Sequence, residues 1–126
     1  MGLTARRIVG DRAERKALHY LVREGLKPVA RNFRSRGGEI DLIMLHGDCL
    51  TFVEVRFRTS ARFASPAPTV DRHKQRKIVR TAAMFIAGKP HYAGLAMRFD
   101  VVAITGGKDS TIEWVRDAFR PVDSTL

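Results

Sequence analysis

The chain has 126 residues, room for one domain with a substantial core and too few for two independent domains of ordinary size. At 44% hydrophobic and 29% charged residues it has the make-up of a globular chain, which excludes a disordered or low-complexity one. Lys plus Arg number 23 against 13 Asp plus Glu, a net charge of +10, and 17 of the 23 are Arg, whose planar fork grips phosphate as an ammonium cannot; this excess points to a polyanionic partner, nucleic acid before membrane.

From residue 5 to 24, Ala13, Ala17, Leu18, Leu21 and Val22 recur at helical spacing, and Gly25 predicts the stop. Residues 27–33 (KPVARNF) read as a short strand with Pro28 near its start, and Gly37-Gly38 as a turn or bulge. Residues 39–45 (EIDLIML) and 49–57 (CLTFVEVRF) then form two strands joined by His46-Gly47-Asp48, a hairpin signature. After a loop at ASPAP, residues 64–68, a second helix is predicted over 69–87, with Ile78, Ala82, Phe85 and Ile86 on its apolar side and Gly88 closing it. Residues 97–105 and 111–119 complete the chain as strands. The order α-β-β-β-α-β-β predicts an α+β fold, a mixed sheet with helices packed on it, as one domain over residues 1–126.

Other features are mostly exclusions. The one cysteine, Cys49, leaves no intramolecular disulfide and no CxxC zinc site, and its apolar surroundings suit a small buried hydrophobe. The N-terminal segment lacks an apolar stretch of signal-peptide length, and nothing approaches the ~20 apolar residues of a membrane span, so a cytoplasmic setting is expected, with nucleoid association as one option within it. His19, His46, His73 and His91 are too scattered for a metal set, and Trp114 reads as core.

The charge is unevenly placed. Residues 1–36 carry +7, residues 37–55 carry −4, residues 56–80 carry +7 and the remainder is neutral. Glu39, Asp41, Asp48 and Glu54 therefore form an acidic island between two arginine-rich blocks, where carboxylates could hold a divalent cation beside bound phosphates. Strand alternation puts Glu39 and Asp41 on one face, and Leu50, Phe52, Glu54 and Arg56 on one face of the partner strand. If the two faces coincide, Asp41 and Glu54 lie close together among Ile43 and Phe52, and cannot both stay ionised without a cation. Either Arg56 neutralises one of them, as a structural pair, or a metal neutralises both. Glu14 shares the apolar stripe of the first helix with Leu18 and Leu21 and should reach toward the sheet; a solvated Glu among Arg12, Arg15 and Lys16 is the plain alternative.

Taken together, the helix carrying Glu14, RNFRSRGGEIDLI (residues 31–43), FVEVRFR (residues 52–58), the basic helix containing Lys74 and RFDVV (residues 98–102) resemble the YraN-like family of small bacterial proteins, over about residues 10–105. That family in turn resembles the restriction-endonuclease-like PD-(D/E)XK nucleases, the archaeal Holliday-junction resolvases in particular. The resemblance implies an α-β-β-β-α-β core, with Asp41 and Glu54 as the metal-binding carboxylates and the Val55 carbonyl as a further ligand. Glu14 would be the helix-one acid that completes such sites. It also implies Mg²⁺ or Mn²⁺, hydrolysis of a phosphodiester bond and, by analogy with the resolvases, a homodimer. Oxygen ligands without His or Cys suit those hard cations. Arg56 stands where the motif usually has lysine; a guanidinium stays protonated, so it cannot act as a base and is left to orient water or stabilise charge. Glu39 could hold an outer-shell water, and a strand-edge surface Glu is the alternative. Asp100 in RFDVV fits the family pattern as a polar strand residue or a helix-anchoring contact.

The nucleic-acid grip is expected from Arg31, Arg34 and Arg36 before the acidic hairpin, from Arg58 and Arg62 after it, and from Arg72, Arg76 and Arg80, which form an i, i+4, i+8 stripe beside Lys74 and Lys77. Phe33, Phe57 and Phe63 could stack on unpaired bases, but strand phenylalanines more often fill cores, so contacts to backbone and shape are expected. Two functions share this surface: a metal-dependent nuclease selective for branched or single-stranded DNA, and a DNA- or RNA-binding module with a degenerate nuclease site. A third is an assembly partner meeting an acidic protein or ribosomal RNA.

Overall fold

The computed structural model describes residues 5–58, 70–106 and 110–121, with the side chains of 5–8 left aside. Helix α1 (Ala5–Arg23) is followed by strands β1 (Lys27–Ser35), β2 (Gly38–His46) and β3 (Cys49–Arg58), helix α2 (Arg72–Gly88), a 3₁₀ turn (Pro90–Tyr92), and strands β4 (Ala96–Thr105) and β5 (Thr111–Phe119). The fold is mixed α+β, and its element order is the expected α-β-β-β-α-β-β with the 3₁₀ turn added. The five strands form one sheet in chain order, antiparallel except for the central β3–β4 pair, which is parallel. Parallel neighbours need a crossover, and α2 supplies it.

Each helix covers one face. Ala13, Ala17 and Leu21 of α1 pack with Leu42, Met44, Val53, Val102 and Ile104, while Ile78, Val79, Ala82 and Phe85 of α2 pack with Ile43, Leu50, Phe52, Phe99 and Val101. Alternation along β3 and β4 divides their side chains between these two cores.

Chain punctuation explains the boundaries. Helix α1 ends in a Schellman motif: Leu26 N–H donates to the Leu21 carbonyl at 3.0 Å, Gly25 N–H donates to that of Val22 at 3.0 Å, and Gly25 has φ +98°. Leu21 and Leu26, the hydrophobic pair of that motif, are both buried. Gly25→Ala keeps every contact yet places a Cβ in left-handed backbone, so it is expected to cost about 1 kcal/mol in urea unfolding. At the start of α2, the Asp71 side chain accepts from Lys74 N–H at 2.8 Å. The helix therefore begins at Arg72, and the earlier start expected at residue 69, like the ASPAP loop, Arg62 and Phe63, falls outside the described residues.

Two sequence expectations need adjustment, and a third holds. The β2–β3 connection is a two-residue turn, Gly47-Asp48, because His46 already pairs with Cys49; Gly47, at φ +60°, takes the conformation such tight turns require. Strand β1 runs on to Ser35, and its register shifts between Pro28 and Ala30, which lets an edge strand carry a proline. Phe33 packs edge-on against Phe85, with ring centroids 5.2 Å apart, and belongs to the core and not to a stacking platform.

Candidate functional site

The site begins with a fault in strand alternation. Ile40 and Ile43 both belong to the core under α2, three residues apart, while Leu42 lies in the core under α1. A regular strand would put Ile40 with Leu42, so the alternation slips once, between Ile40 and Leu42, at Asp41. The partner strand carries a matching irregularity. Asn32, opposite Asp41 in the β1–β2 register, has φ +51°, rare for a residue with a side chain. On the other side the β2–β3 ladder stops at Leu42↔Val53. The strands part there, and the Asp41 carboxylate bridges the fork by accepting the Val55 N–H at 2.8 Å.

Glu54 lies on the α2 side of β3, buried, and its carboxylate is contacted by the Lys74 ammonium from the first turn of α2. Arg56 Nε stands farther off, 4.0 Å from the same oxygen. Asp41, Glu54 and Val55 line a cleft of ≈ 360 Å³ with Gly38, Glu39, Lys74, Lys77 and Ile78. Burial, above all, pushes the Asp41 carboxyl up to about 7; the neighbouring Glu54 charge adds to this, and the Val55 N–H opposes it. The coincidence of faces on which the metal reading depends is therefore present.

Glu14 does not complete a triad. Its buried carboxylate accepts Arg31 Nε at 3.3 Å, Arg31 Nη2 at 3.2 Å and Asn32 Nδ2 at 3.0 Å. Burial raises its pKa even so, against the pull of Arg31. Among the described residues no three His, Cys, Asp or Glu side chains gather as a metal-holding set. Glu14 reaches the sheet as expected, where it anchors the irregular part of β1 and repels Asp41 from a distance. Glu39 lines the cleft but is exposed and pairs with Arg34 at 3.6 Å, a weak surface ion pair.

The donor set fits a hard divalent cation: two neighbouring carboxylates, the Glu54 charge adding to the cost of ionising Asp41, oxygen donors only, in an open cleft. Two basic side chains, Lys74 and Lys77, line it. The β1–β2 turn lies against α2 so closely that a Cβ on Gly37 would sit 3.3 Å from Thr81 Oγ1 and 3.4 Å from the Arg80 Cβ. This approach brings the chain just after Arg36 against the helix that carries the exposed Arg72, Arg76 and Arg80. Lys77, which the sequence places with Lys74 beside the arginine stripe, lines the cleft; its position one turn from Lys74 and beside the core residue Ile78 is the helical phase that separates these lysines from the arginines. Arg31 is held by Glu14, and Arg58 is half-buried at the end of β3.

A second polar cluster lies on the opposite face. The buried Asp100 carboxylate accepts both Nε and Nη2 of Arg98, Trp114 Nε1 and the Asp117 N–H, each at 2.9 Å, and Arg98 also meets His46 Nδ1 at 2.9 Å. Asp100 thus ties β4 to β5 and anchors no helix, and Trp114 is half-buried with its polar edge engaged, less enclosed than the core residue expected from sequence.

No helix among the described residues is long and apolar enough to cross a membrane. The model of the uncharacterised protein family UPF0102 matches residues 13–104. The chain is 53% identical over 110 residues to a UPF0102 protein of Saccharophagus degradans, covering 87% of this chain and 91% of the relative. It is 47% identical over 116 residues to one of Xanthomonas campestris pv. campestris, covering 92% and 94%. A Nitrosomonas europaea relative is 43% identical over 110 residues, covering 87% and 92%. On a match that spans α1 through β4 and takes in both carboxylates of the cleft, the chain belongs to the UPF0102 family, the YraN-like group that its motifs resemble.

Proposed function

We propose that the protein is a nucleic-acid-binding, metal-dependent nuclease that hydrolyses phosphodiester bonds in branched or single-stranded DNA. The observation that carries this reading is the pair of carboxyls, half-buried Asp41 and buried Glu54, in an open cleft that Lys74 and Lys77 also line and whose lining residue Glu39 pairs with Arg34 of β1. A carboxyl whose ionisation is opposed by burial and then by a second carboxylate is a site that gains from a dication, and nearby basic residues are what bring a phosphodiester to it. Asp41, Glu54 and the Val55 carbonyl would hold Mg²⁺ or Mn²⁺, which supplies Lewis-acid polarisation of the phosphate and a more acidic water. The exposed Arg72, Arg76 and Arg80 would carry the backbone of the bound strand, and Arg56 would stabilise charge on the phosphate without acting as a base. Recognition would rest on backbone and shape; Phe33 packs against the core, and Phe57, exposed near the end of β3, is the described aromatic left to meet a base.

One observation favours a second reading. Arg56 in place of lysine, together with a Lys74–Glu54 contact that already neutralises one carboxylate, suits a module that binds DNA or RNA without cutting it. Labelled junction, flap, single-stranded and duplex substrates, incubated with Mg²⁺ or Mn²⁺, separate the two. Cleavage that drops at least ~100-fold in both Asp41→Asn and Glu54→Gln supports the enzyme. Salt-sensitive binding with no cleavage supports the module, and cleavage that survives both substitutions defeats the assignment of this site.

A further inference from the structure

Resting on the metal reading above, we propose that Lys74 is a placeholder cation: its ammonium holds the Glu54 carboxylate until a divalent cation takes that carboxylate, and is then released into the cleft to meet the substrate phosphate. Three observations converge on it.

The first is that Lys74 sits where a helix does not want it. It is the third residue after the Asp71 cap, at the positive end of the helix dipole, in a first turn that has Arg72 and His73 and no acidic residue. A cation there costs about 0.3–1 kcal/mol, and the same position favours Glu. A local rule broken without local return points to a role elsewhere, and the structure provides it, because the side chain runs from the helix start to the Glu54 carboxylate. The second is the poor alternative. Arg56, on the same strand as Glu54, comes no nearer than 4.0 Å, so among the described residues Lys74 is the close counter-charge to Glu54. The third is the exposure of the side chain: Lys74 is 47% exposed while its partner is 8% exposed, so the long lysine stem has room to move within the cleft it already lines without repacking the core.

The two states differ in charge. Before the exchange, Lys74 offsets a carboxylate that would otherwise stand unpaired and buried. After it, the dication satisfies both carboxylates, and Lys74 and Lys77 face an open cleft as unmatched cations, which favours a phosphate. Metal and substrate are then coupled through one side chain, each aiding the other.

The test is a Mn²⁺ titration, read by the spin-resonance signal of free Mn²⁺, on the full chain and on Lys74→Gln, Lys74→Met, Lys27→Gln and Asp41→Asn, with circular dichroism to confirm folding. Lys27 is an exposed lysine at the far end of β1 and controls for loss of one charge. Removing a competing cation from Glu54 is expected to tighten Mn²⁺ about tenfold in Lys74→Gln and Lys74→Met, and Lys27→Gln is expected to leave it unchanged. Affinity for a branched DNA should then fall about fivefold in the Lys74 variants in Ca²⁺ and hardly at all in EDTA, where Lys74 is engaged with Glu54. Equal or weaker Mn²⁺ binding in folded Lys74 variants overturns the proposal while Asp41-dependent binding in the wild type keeps the metal site. Absence of Asp41-dependent Mn²⁺ binding in the wild type overturns the metal site and the proposal with it.

Discussion

Asp100→Ala is expected to lower the unfolding free energy by about 4 kcal/mol, the range for removing one partner of a buried, hydrogen-bonded ion pair. The Asp100 side chain is 0% exposed and accepts four hydrogen bonds. Deleting it leaves the Arg98 guanidinium, only 18% exposed, without its carboxylate, and strands the Trp114 indole N–H and a main-chain N–H. It also frees a strained turn of chain. The β4–β5 register shifts between Phe99 and Val101, and Asp117, opposite this irregularity, has φ +53°. The Asp117 N–H donated to Asp100 holds that geometry. Asp100→Asn keeps an acceptor and loses the charge, so its cost should be smaller, about 2 kcal/mol. Urea unfolding measures both, and the fluorescence of Trp114 reports the local change as its N–H loses a buried partner. A loss below ~1 kcal/mol for the alanine variant would mean that water replaces the carboxylate and that the cluster is not structural.

This cluster marks the limit of what the sequence discloses. The strand carrying Asp100 was legible from its apolar pattern, but the partners of the carboxylate lie 14 and 17 residues away on β5, and Arg98 meets a histidine 52 residues distant. No local pattern encodes that convergence. The acidic cleft lies between the extremes. β3 pairs with β4 along its whole length and with β2 as far as Val53, and it alternates regularly, so reading Glu54 on the Phe52 face needed only the period of two. In β2 the period fails at Asp41, and Asp41 still meets Glu54 because the slip opens a fork that the side chain fills. The sequence carried the residues of the site and missed its cause, which is a departure from the regularity that makes sequences readable. Lys74 was visible as one of several basic residues on a helix. Its contact with Glu54 depends on how α2 lies over the sheet, which is set by the core residues Ile78, Val79, Ala82 and Phe85 and by the closeness that Gly37 allows at Thr81.

The same fork has a cost that pH should expose. With no divalent cation present, stability is expected to fall as pH rises from about 4 to about 7. Asp41 ionises at an ordinary 3.8 in the unfolded chain and at about 7 when folded. Between those values the folded protein holds a proton that the unfolded chain has released, so each step up in pH favours unfolding. The favourable term is complete below 3.8 and is gone once pH passes the folded value. Glu14, whose pKa burial also raises, contributes in the same direction. Because the cleft is open to solvent, about 2 kcal/mol is the expected size of the effect, well under the full shift at 1.36 kcal/mol per unit. Asp41→Asn removes the titration and keeps an acceptor for the Val55 N–H, so at pH ~8 in EDTA the variant should be more stable than the wild type by about 2 kcal/mol, and at pH ~4 the two should nearly agree. Mn²⁺ at ~100-fold its dissociation constant should return about 2.7 kcal/mol to the wild type at the higher pH and nothing to the variant. Urea unfolding at the two pH values, with and without Mn²⁺, measures all four quantities. A variant less stable than the wild type at the higher pH would show that the Asp41 carboxylate is held ionised by its surroundings, and the cleft would then lack the strain between carboxyls that makes it a place for a cation.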